Sequence, residues 1–104
     1  MEVMREESFG PVIGIQSVKN DEEALQLMND TPYGLTAAVY TRDAARAKTL
    51  LSQVNSGSAY WNCCDSVSPR LPWSGRQGSG LGLTLGTQGI LAFTQVKAWH
   101  LRGS

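Results

Sequence analysis

Two adjacent carboxylates, an aromatic ring and a Gly-Pro break occur together near the N-terminus. They form the segment Glu6-Glu7-Ser8-Phe9-Gly10-Pro11-Val12. A Gly-Pro pair keeps the preceding backbone out of the helical region and favours entry into an extended segment. Because α/β folds bind ligands at strand ends, the two glutamates are candidate ligand-binding groups. A Glu-Glu pair near a chain end is more often a solvated charge cluster, and the segment alone leaves both interpretations open.

The two cysteines, Cys63 and Cys64, are adjacent in the sequence. A thiolate becomes a nucleophile when a base or a cation lowers its pKa, so either cysteine is a candidate for thiol chemistry. The single histidine, His100, would have to fold back onto them to act as that base. The alternative is a pair of small buried apolar side chains at a strand end. One histidine and two adjacent thiols do not supply four metal ligands at workable spacing, so we predict no metal site.

A glycine-rich stretch, Gly78-Ser79-Gly80-Leu81-Gly82, invites comparison with phosphate-binding loops. It lacks the glycine spacing of the dinucleotide fingerprint, and no Gly-Lys-Ser/Thr follows. The sequence before it contains Pro69 and Pro72, whereas the fingerprint requires a strand directly before the loop. These glycines therefore indicate turns or close backbone approaches.

Composition restricts the classes of function. Lys and Arg together number nine, as do Asp and Glu, so the net charge is zero. A balanced chain has no basic footprint for nucleic acid or for an anionic membrane surface, and we expect neither partner. No apolar run approaches the roughly 18 residues that a membrane span requires. At 104 residues the chain is expected to be a single domain, 1–104, and the adjacent cysteines favour a reducing, cytoplasmic location.

Apolar periodicity and turn residues predict alternating strands and helices. In chain order these are a strand at 12–18, a helix capped by Asn20 that ends near 29–31, a turn at 33–34, a strand at 35–40, a helix that begins at Thr41 or Asp43 and ends near 55–57, and a strand at 58–62. This order is typical of parallel strands joined by helical crossovers. The predicted fold class is therefore α/β, with a βαβαβ parallel sheet.

The remainder of the chain is less regular. A long loop rich in Gly and Pro is expected between Cys63 and Gly86, followed by a short helix at 87–94 and a last strand at 97–101. Structureless loops of about 20 residues are uncommon in compact domains and are more often functional than merely connecting. Trp61 and Trp99 are expected in the core, and Trp73, inside the loop, beside a pocket or an interface.

Four sequence blocks closely resemble the C-terminal portion of the aldehyde dehydrogenase superfamily. They are Glu7-Ser8-Phe9-Gly10-Pro11-Val12, Asn29-Asp30-Thr31-Pro32-Tyr33-Gly34-Leu35, Gly57-Ser58-Ala59-Tyr60-Trp61-Asn62 and Pro72-Trp73-Ser74-Gly75. Their order and spacing match the family from about Glu6 to Arg102, which is nearly the whole chain. The resemblance implies NAD(P)-dependent oxidation of an aldehyde to an acid through a cysteine thiohemiacetal and a thioester.

The resemblance also implies roles for individual residues. Glu7 matches the glutamate that binds the ribose hydroxyls beside the nicotinamide, and Phe9 matches the aromatic that packs near that ring. Val67 and Trp73 match positions that line the aldehyde tunnel. These residue types suit their roles, since a carboxylate accepts hydrogen bonds from hydroxyl groups and an aromatic wall excludes water.

The chain differs from the family pattern in individual residues and in the regions of the enzyme that the match includes. Trp73-Ser74 stands where the family usually has Phe-Gly, and Gln77 stands where Lys is common. The family's dinucleotide-binding domain, nucleophilic cysteine and general-base glutamate all precede the matched region. Neither Cys63 nor Cys64 matches the nucleophile, so we assign no catalytic residue to this chain.

Two functions follow from the resemblance. The first is a C-terminal portion of an aldehyde dehydrogenase that is inactive alone and does not bind NAD or NADP tightly. The second is an oligomerising interaction module, because Lys97–Leu101 resembles the family's final strand, which joins an intersubunit sheet. The expected partners are further copies of the chain or the missing N-terminal portion of the enzyme. An independent thiol enzyme that uses Cys63 or Cys64 is a third, minor interpretation.

Overall fold

The computed structural model describes residues 2–103 and contains three α-helices and two small sheets in that range. After a 3-10 turn at Glu2–Met4, the helices are α1 (Asp21–Asn29), α2 (Ala44–Gln53) and α3 (Gly86–Leu91). The strands are β1 (Tyr33–Gly34), β2 (Thr36–Val39), β3 (Ser58–Trp61) and β4 (Arg76–Gln77). The chain is therefore a mixed α/β structure.

The parallel pair of β2 and β3 is the centre of the structure. Its register runs from Thr36 opposite Ser58 to Val39 opposite Trp61, and α2 connects the two strands and packs on both. Ala47 is the buried residue of this helix, and Val54 is buried at its C-terminal end. The predicted strand, helix and parallel strand between residues 35 and 62 are thus confirmed.

Both long helices begin at the side-chain caps that the sequence indicates. The Asn20 side chain accepts a hydrogen bond from the Glu23 amide at 2.9 Å. Of the two candidate caps for α2, Asp43 fills the role and accepts from the Arg46 amide at 3.0 Å. Such caps satisfy amide groups that have no partner within the helix.

Polar contacts hold α1 against α2. The Arg46 guanidinium pairs with the Asp21 carboxylate, and this hydrogen bond holds the pKa of Asp21 below its ordinary value. At the other end of α1, the Asn29 side chain donates to the Gln53 carbonyl at 3.0 Å and accepts from the Asn55 amide at 2.8 Å. The two helices are therefore joined at both ends.

The predicted turn at Tyr33-Gly34 is wrong. These residues form β1, which pairs antiparallel with β4, placing Tyr33 opposite Gln77. The predicted loop is also partly ordered, since Trp73 and Thr84 exchange backbone hydrogen bonds of 2.7 and 3.0 Å. Gly57 permits this packing, because a Cβ atom there would lie 1.6 Å from the Ser74 carbonyl oxygen. The sequence offered no local signal for pairing across such a distance.

The predicted strands at 12–18 and 97–101 are also wrong, because neither segment belongs to a ladder within residues 2–103. A strand requires a neighbour for its N–H and C=O groups, and the described chain supplies none at these positions. The predicted βαβαβ sheet is therefore reduced to one parallel pair and one antiparallel pair. The short helix expected at 87–94 is present as α3.

The molecule has an elongated shape. Its radius of gyration is 18.7 Å, whereas a compact domain of about 100 residues has a radius of about 13 Å. Trp61 and Trp99 are 45% and 71% exposed, so the expectation that they lie in the core is wrong. Among residues 2–103, no helix is both long enough and apolar enough to cross a bilayer.

Candidate functional site

Glu7 lines a cavity of about 560 Å³ that is bounded by three parts of the chain. The N-terminal segment contributes Arg5, Glu6 and Glu7, and the opposite wall includes Tyr33 and Ser79. Antiparallel pairing of β1 with β4 brings that wall together, although its residues are far apart in the sequence. Glu7 thus shares a cavity with residues that local sequence could not place beside it.

Backbone hydrogen bonds hold the wall opposite Glu7 in place. The Gly34 amide donates to the Ser79 hydroxyl oxygen at 2.9 Å, and the Gly78 amide donates to the Pro32 carbonyl at 2.8 Å. Thr31, another cavity residue, accepts from the Tyr33 amide through its hydroxyl at 3.2 Å. The first two contacts join the residues after β4 to β1 and to the segment before it.

The residues of this cavity suit a ligand that carries several hydroxyl groups. A carboxylate accepts hydrogen bonds, and hydroxyl side chains can both donate and accept them. Glu7 supplies the first kind of group, and Thr31, Tyr33 and Ser79 supply the second. The ribose of a nicotinamide cofactor meets this requirement, so the chemistry of the cavity fits the group that the sequence implies for Glu7.

The structure does not bring Phe9 into the lining of this cavity. Its side chain is 94% exposed, although it lies only two residues after Glu7. An aromatic ring of this size is normally covered, either by the protein core or by a ligand or partner. The role of Phe9 beside a nicotinamide ring remains a prediction.

Trp73 lines a second cavity, of about 210 Å³, between β3 and the loop that follows it. Tyr60 and Leu71 contribute further walls, as do Ser66 and Ser68. Val67 lies between these two serines in the sequence but is not part of the lining, and its side chain is 55% exposed. The structure therefore places Trp73, but not Val67, in the wall of a pocket.

Cys63 and Cys64 are both exposed, which overturns the interpretation that they are small buried apolar side chains. They follow β3 after one intervening residue, Asn62, and Tyr40 directly follows the neighbouring parallel strand β2. A hydrogen bond with the Cys64 thiol raises the pKa of the Tyr40 hydroxyl. Desolvation and the charges of the neighbouring thiols and of Asp65 act in the same direction.

Sequence reasoning missed Tyr40, which is the last residue of the predicted strand 35–40. Parallel strands end at the same edge of a sheet, so the ends of predicted strands 35–40 and 58–62 were a signal that Tyr40 and the cysteines lie near each other. His100 lies far along the chain, in the extended C-terminal segment. Within residues 2–103, no group of three or more acidic, histidine or cysteine side chains is arranged to hold a metal ion.

The contact between Tyr40 and Cys64 predicts a change in titration. Cys64→Ala removes the main cause of the raised pKa, so the pKa of Tyr40 should fall toward its ordinary value. Phenolate absorbance against pH, compared between the variant and the unsubstituted chain, measures this fall. Cys63→Ala is the matched control and should produce a smaller fall, because Cys63 acts only through its charge. Equal effects of both variants, or none, would contradict the assignment.

Comparison with known proteins places this geometry in a family. The model of the aldehyde dehydrogenase family matches residues 1–99. The chain is 39% identical over 97 residues to a cytosolic aldehyde dehydrogenase of Rattus norvegicus and 38% identical over 97 residues to the chloroplastic betaine aldehyde dehydrogenase of Beta vulgaris. Each match covers 93% of this chain and 19% of the relative, so the chain spans about a fifth of the length of these relatives.

Solved structures agree with the sequence comparison. Betaine aldehyde dehydrogenase of Staphylococcus aureus, in complex with NAD+, matches with a TM-score of 0.83 and 34% identity over 86% of this chain and 18% of that chain. An indole-3-acetaldehyde dehydrogenase in complex with NAD+ matches with a TM-score of 0.84 and 35% identity, covering 89% of this chain and 19% of that chain. The chain described here belongs to the aldehyde dehydrogenase family.

Proposed function

We propose that this chain acts as the C-terminal portion of an NAD(P)-dependent aldehyde dehydrogenase that oxidises an aldehyde to a carboxylic acid. The similarity to relatives over about a fifth of their length supports this proposal. The observation that carries it is the position of Glu7 in a cavity with Thr31, Tyr33 and Ser79. The side chains of these residues can form hydrogen bonds with the hydroxyl groups of a ribose.

In the whole enzyme, the residues of this chain would orient and enclose the reactants. The Glu7 carboxylate would accept hydrogen bonds from the ribose hydroxyls, and Phe9 would cover one side of the nicotinamide. Trp73 and Val67 would line the passage for the aldehyde and exclude water from it. When bound, the cofactor supplies the acceptor for the hydride that leaves the substrate.

We further propose that the 104-residue chain is inactive alone and binds neither NAD nor NADP tightly. The family resemblance assigns the nucleophilic cysteine, the general base and the dinucleotide-binding domain to a region that precedes the match. Without a nucleophile, no covalent intermediate can form. We also propose a cytoplasmic location, and the similar relatives include both cytosolic and chloroplastic enzymes.

A chimera tests the proposed role of Glu7 directly. The chain should produce no NADH from an aldehyde by itself, whereas grafting it in place of the matched segment of the Beta vulgaris enzyme should give an active protein. In this chimera, Glu7→Gln should weaken NAD+ binding about tenfold or more, because a hydrogen bond to a charged group contributes about 1.5–3 kcal/mol. The measurement is the dissociation constant of NAD+ together with the rate of NADH formation.

A glutamate outside the cavity provides the matched control for this substitution. Glu22→Gln removes the same charge from an exposed position on α1 that does not line the Glu7 cavity, and it should leave NAD+ binding nearly unchanged. A folded chimera in which both variants bind NAD+ equally would contradict the role of Glu7. Aldehyde-dependent NADH production by the chain alone, abolished by removal of Cys63 and Cys64, would contradict its proposed inactivity.

Exposed apolar side chains favour a second function, that of an oligomerising interaction module. Ile13 and Ile15 are 84% and 88% exposed in the N-terminal segment, and Phe93 and Leu101 are 90% and 79% exposed near the C-terminus. Apolar residues on extended segments without strand partners promote association with another chain. We propose that copies of this chain associate through these segments, as the resemblance implies for Lys97–Leu101.

Sedimentation tests this second function. The chain should form a homo-oligomer at micromolar concentration, and Ile15→Lys should weaken association about tenfold or more, because burial of one isoleucine contributes about 1.5–3 kcal/mol. Gln16→Lys adds the same charge at a neighbouring exposed position and serves as the control. A stable monomer at micromolar concentration would refute the proposal that the chain is an oligomerising module.

A further inference from the structure

The proposed enzyme function assigns no role to the two adjacent thiols of Cys63 and Cys64. Both side chains are exposed, and neither matches the catalytic cysteine of the family. Cys64 lies near the Tyr40 side chain, just beyond the end of β2. Two accessible thiols on consecutive residues are available to one ligand at the same time.

The loop that carries the pair is anchored on both sides. Before the cysteines, the Asn62 amide donates to the Val39 carbonyl at 3.0 Å, and the Asn62 side chain accepts from the Thr41 amide at 2.9 Å. After them, the Tyr60 hydroxyl donates to the Ser66 carbonyl at 3.4 Å. The thiols therefore project from a short loop whose two ends are fixed to the edge of the parallel pair.

Adjacent positions disfavour a direct disulfide between the two sulfurs. Consecutive Cα atoms across a trans peptide lie about 3.8 Å apart, whereas disulfides usually require a Cα separation of about 4.4 Å or more. A single atom that bonds to both sulfurs relaxes this limit, because two bonds then separate the sulfurs instead of one. The pair is thus better suited to chelation than to internal oxidation.

We propose that Cys63 and Cys64 form a vicinal dithiol site that binds trivalent arsenicals. An organoarsenic dihydroxide reacts with the pair by forming two As–S bonds and breaking two As–O bonds. The two thiol protons leave with the two hydroxyl groups as two molecules of water. Arsenic stays trivalent and sulfur is not oxidised, so the step needs no oxidant or reductant.

Chelation should make the site selective for ligands that can bond to both sulfurs. Once one As–S bond has formed, the second thiol lies on the adjacent residue, and ring closure is intramolecular. Such linkage raises overall affinity by about 100-fold or more over a single attachment. A reagent that bonds to only one sulfur gains no affinity from the second thiol. Selectivity for reagents that bond to both sulfurs therefore distinguishes this site from a single exposed cysteine.

The test uses the 104-residue chain with phenylarsine oxide, which hydrates in water to the dihydroxide. Mass spectrometry should find one phenylarsenic group per chain, and a thiol assay should find that both thiols are lost together. Ethanedithiol should release the group, whereas mercaptoethanol at the same thiol concentration should not. An adduct that leaves one thiol free, or a reaction that occurs only in urea, would overturn the proposal.

Variants distinguish the effect of having two adjacent thiols from the effect of having two thiols anywhere in the chain. Cys63→Ser and Cys64→Ser should each weaken phenylarsine oxide binding about 100-fold, because only one attachment remains. The double variant Cys64→Ser with Ser52→Cys retains two thiols but moves one to an exposed position on α2, and it should bind as weakly as Cys64→Ser alone. Binding of the double variant as tight as that of the unsubstituted chain would refute the vicinal site.

Discussion

The parallel ladder between β2 and β3 is the interaction on which the rest of the structure depends. It gives α2 a surface on which Ala47 becomes buried, and the pairing of Arg46 with Asp21 then fastens α1 to α2. One end of the ladder carries Tyr40 and the cysteines, and the close approach of Gly57 to Ser74 lies at the other. The Trp73 cavity is lined partly by β3, whereas the Glu7 cavity depends on the pairing of β1 with β4.

The features predicted correctly from the sequence are those fixed by neighbouring residues. Asn20 and Asp43 cap helices through amides three residues away, so their helices could be located without knowledge of the fold. The pairing of Tyr33 with Gln77 was missed, because it joins segments that are distant in the sequence. The same is true of the candidate site. Glu7 was recognised from its sequence motif, whereas Ser79 could be placed in the cavity only once the pairing of β1 with β4 was known.

The segments at 12–18 and 97–101 explain why the apolar sequence pattern predicted more strands in the sheet than the structure contains. Residues 12–18 are apolar and rich in β-branched side chains, yet a strand exists only where another backbone accepts and donates its hydrogen bonds. Their exposure, together with that of Phe9, is consistent with surfaces that further protein covers in the proposed enzyme or oligomer. In the proposed enzyme or oligomer, the Glu7 cavity and the uncovered segments would belong to one part of a larger assembly.

We propose that the unit of α2, β2 and β3 is held by its own contacts, whereas the segments at 12–18 and 97–101 require another chain. Hydrogen–deuterium exchange, measured over a range of protein concentrations, tests this claim most directly. Amides of β2 and β3 should exchange slowly at every concentration, and amides of the two segments should gain protection only as concentration rises. Equal protection of all three regions at the lowest concentration would contradict the account.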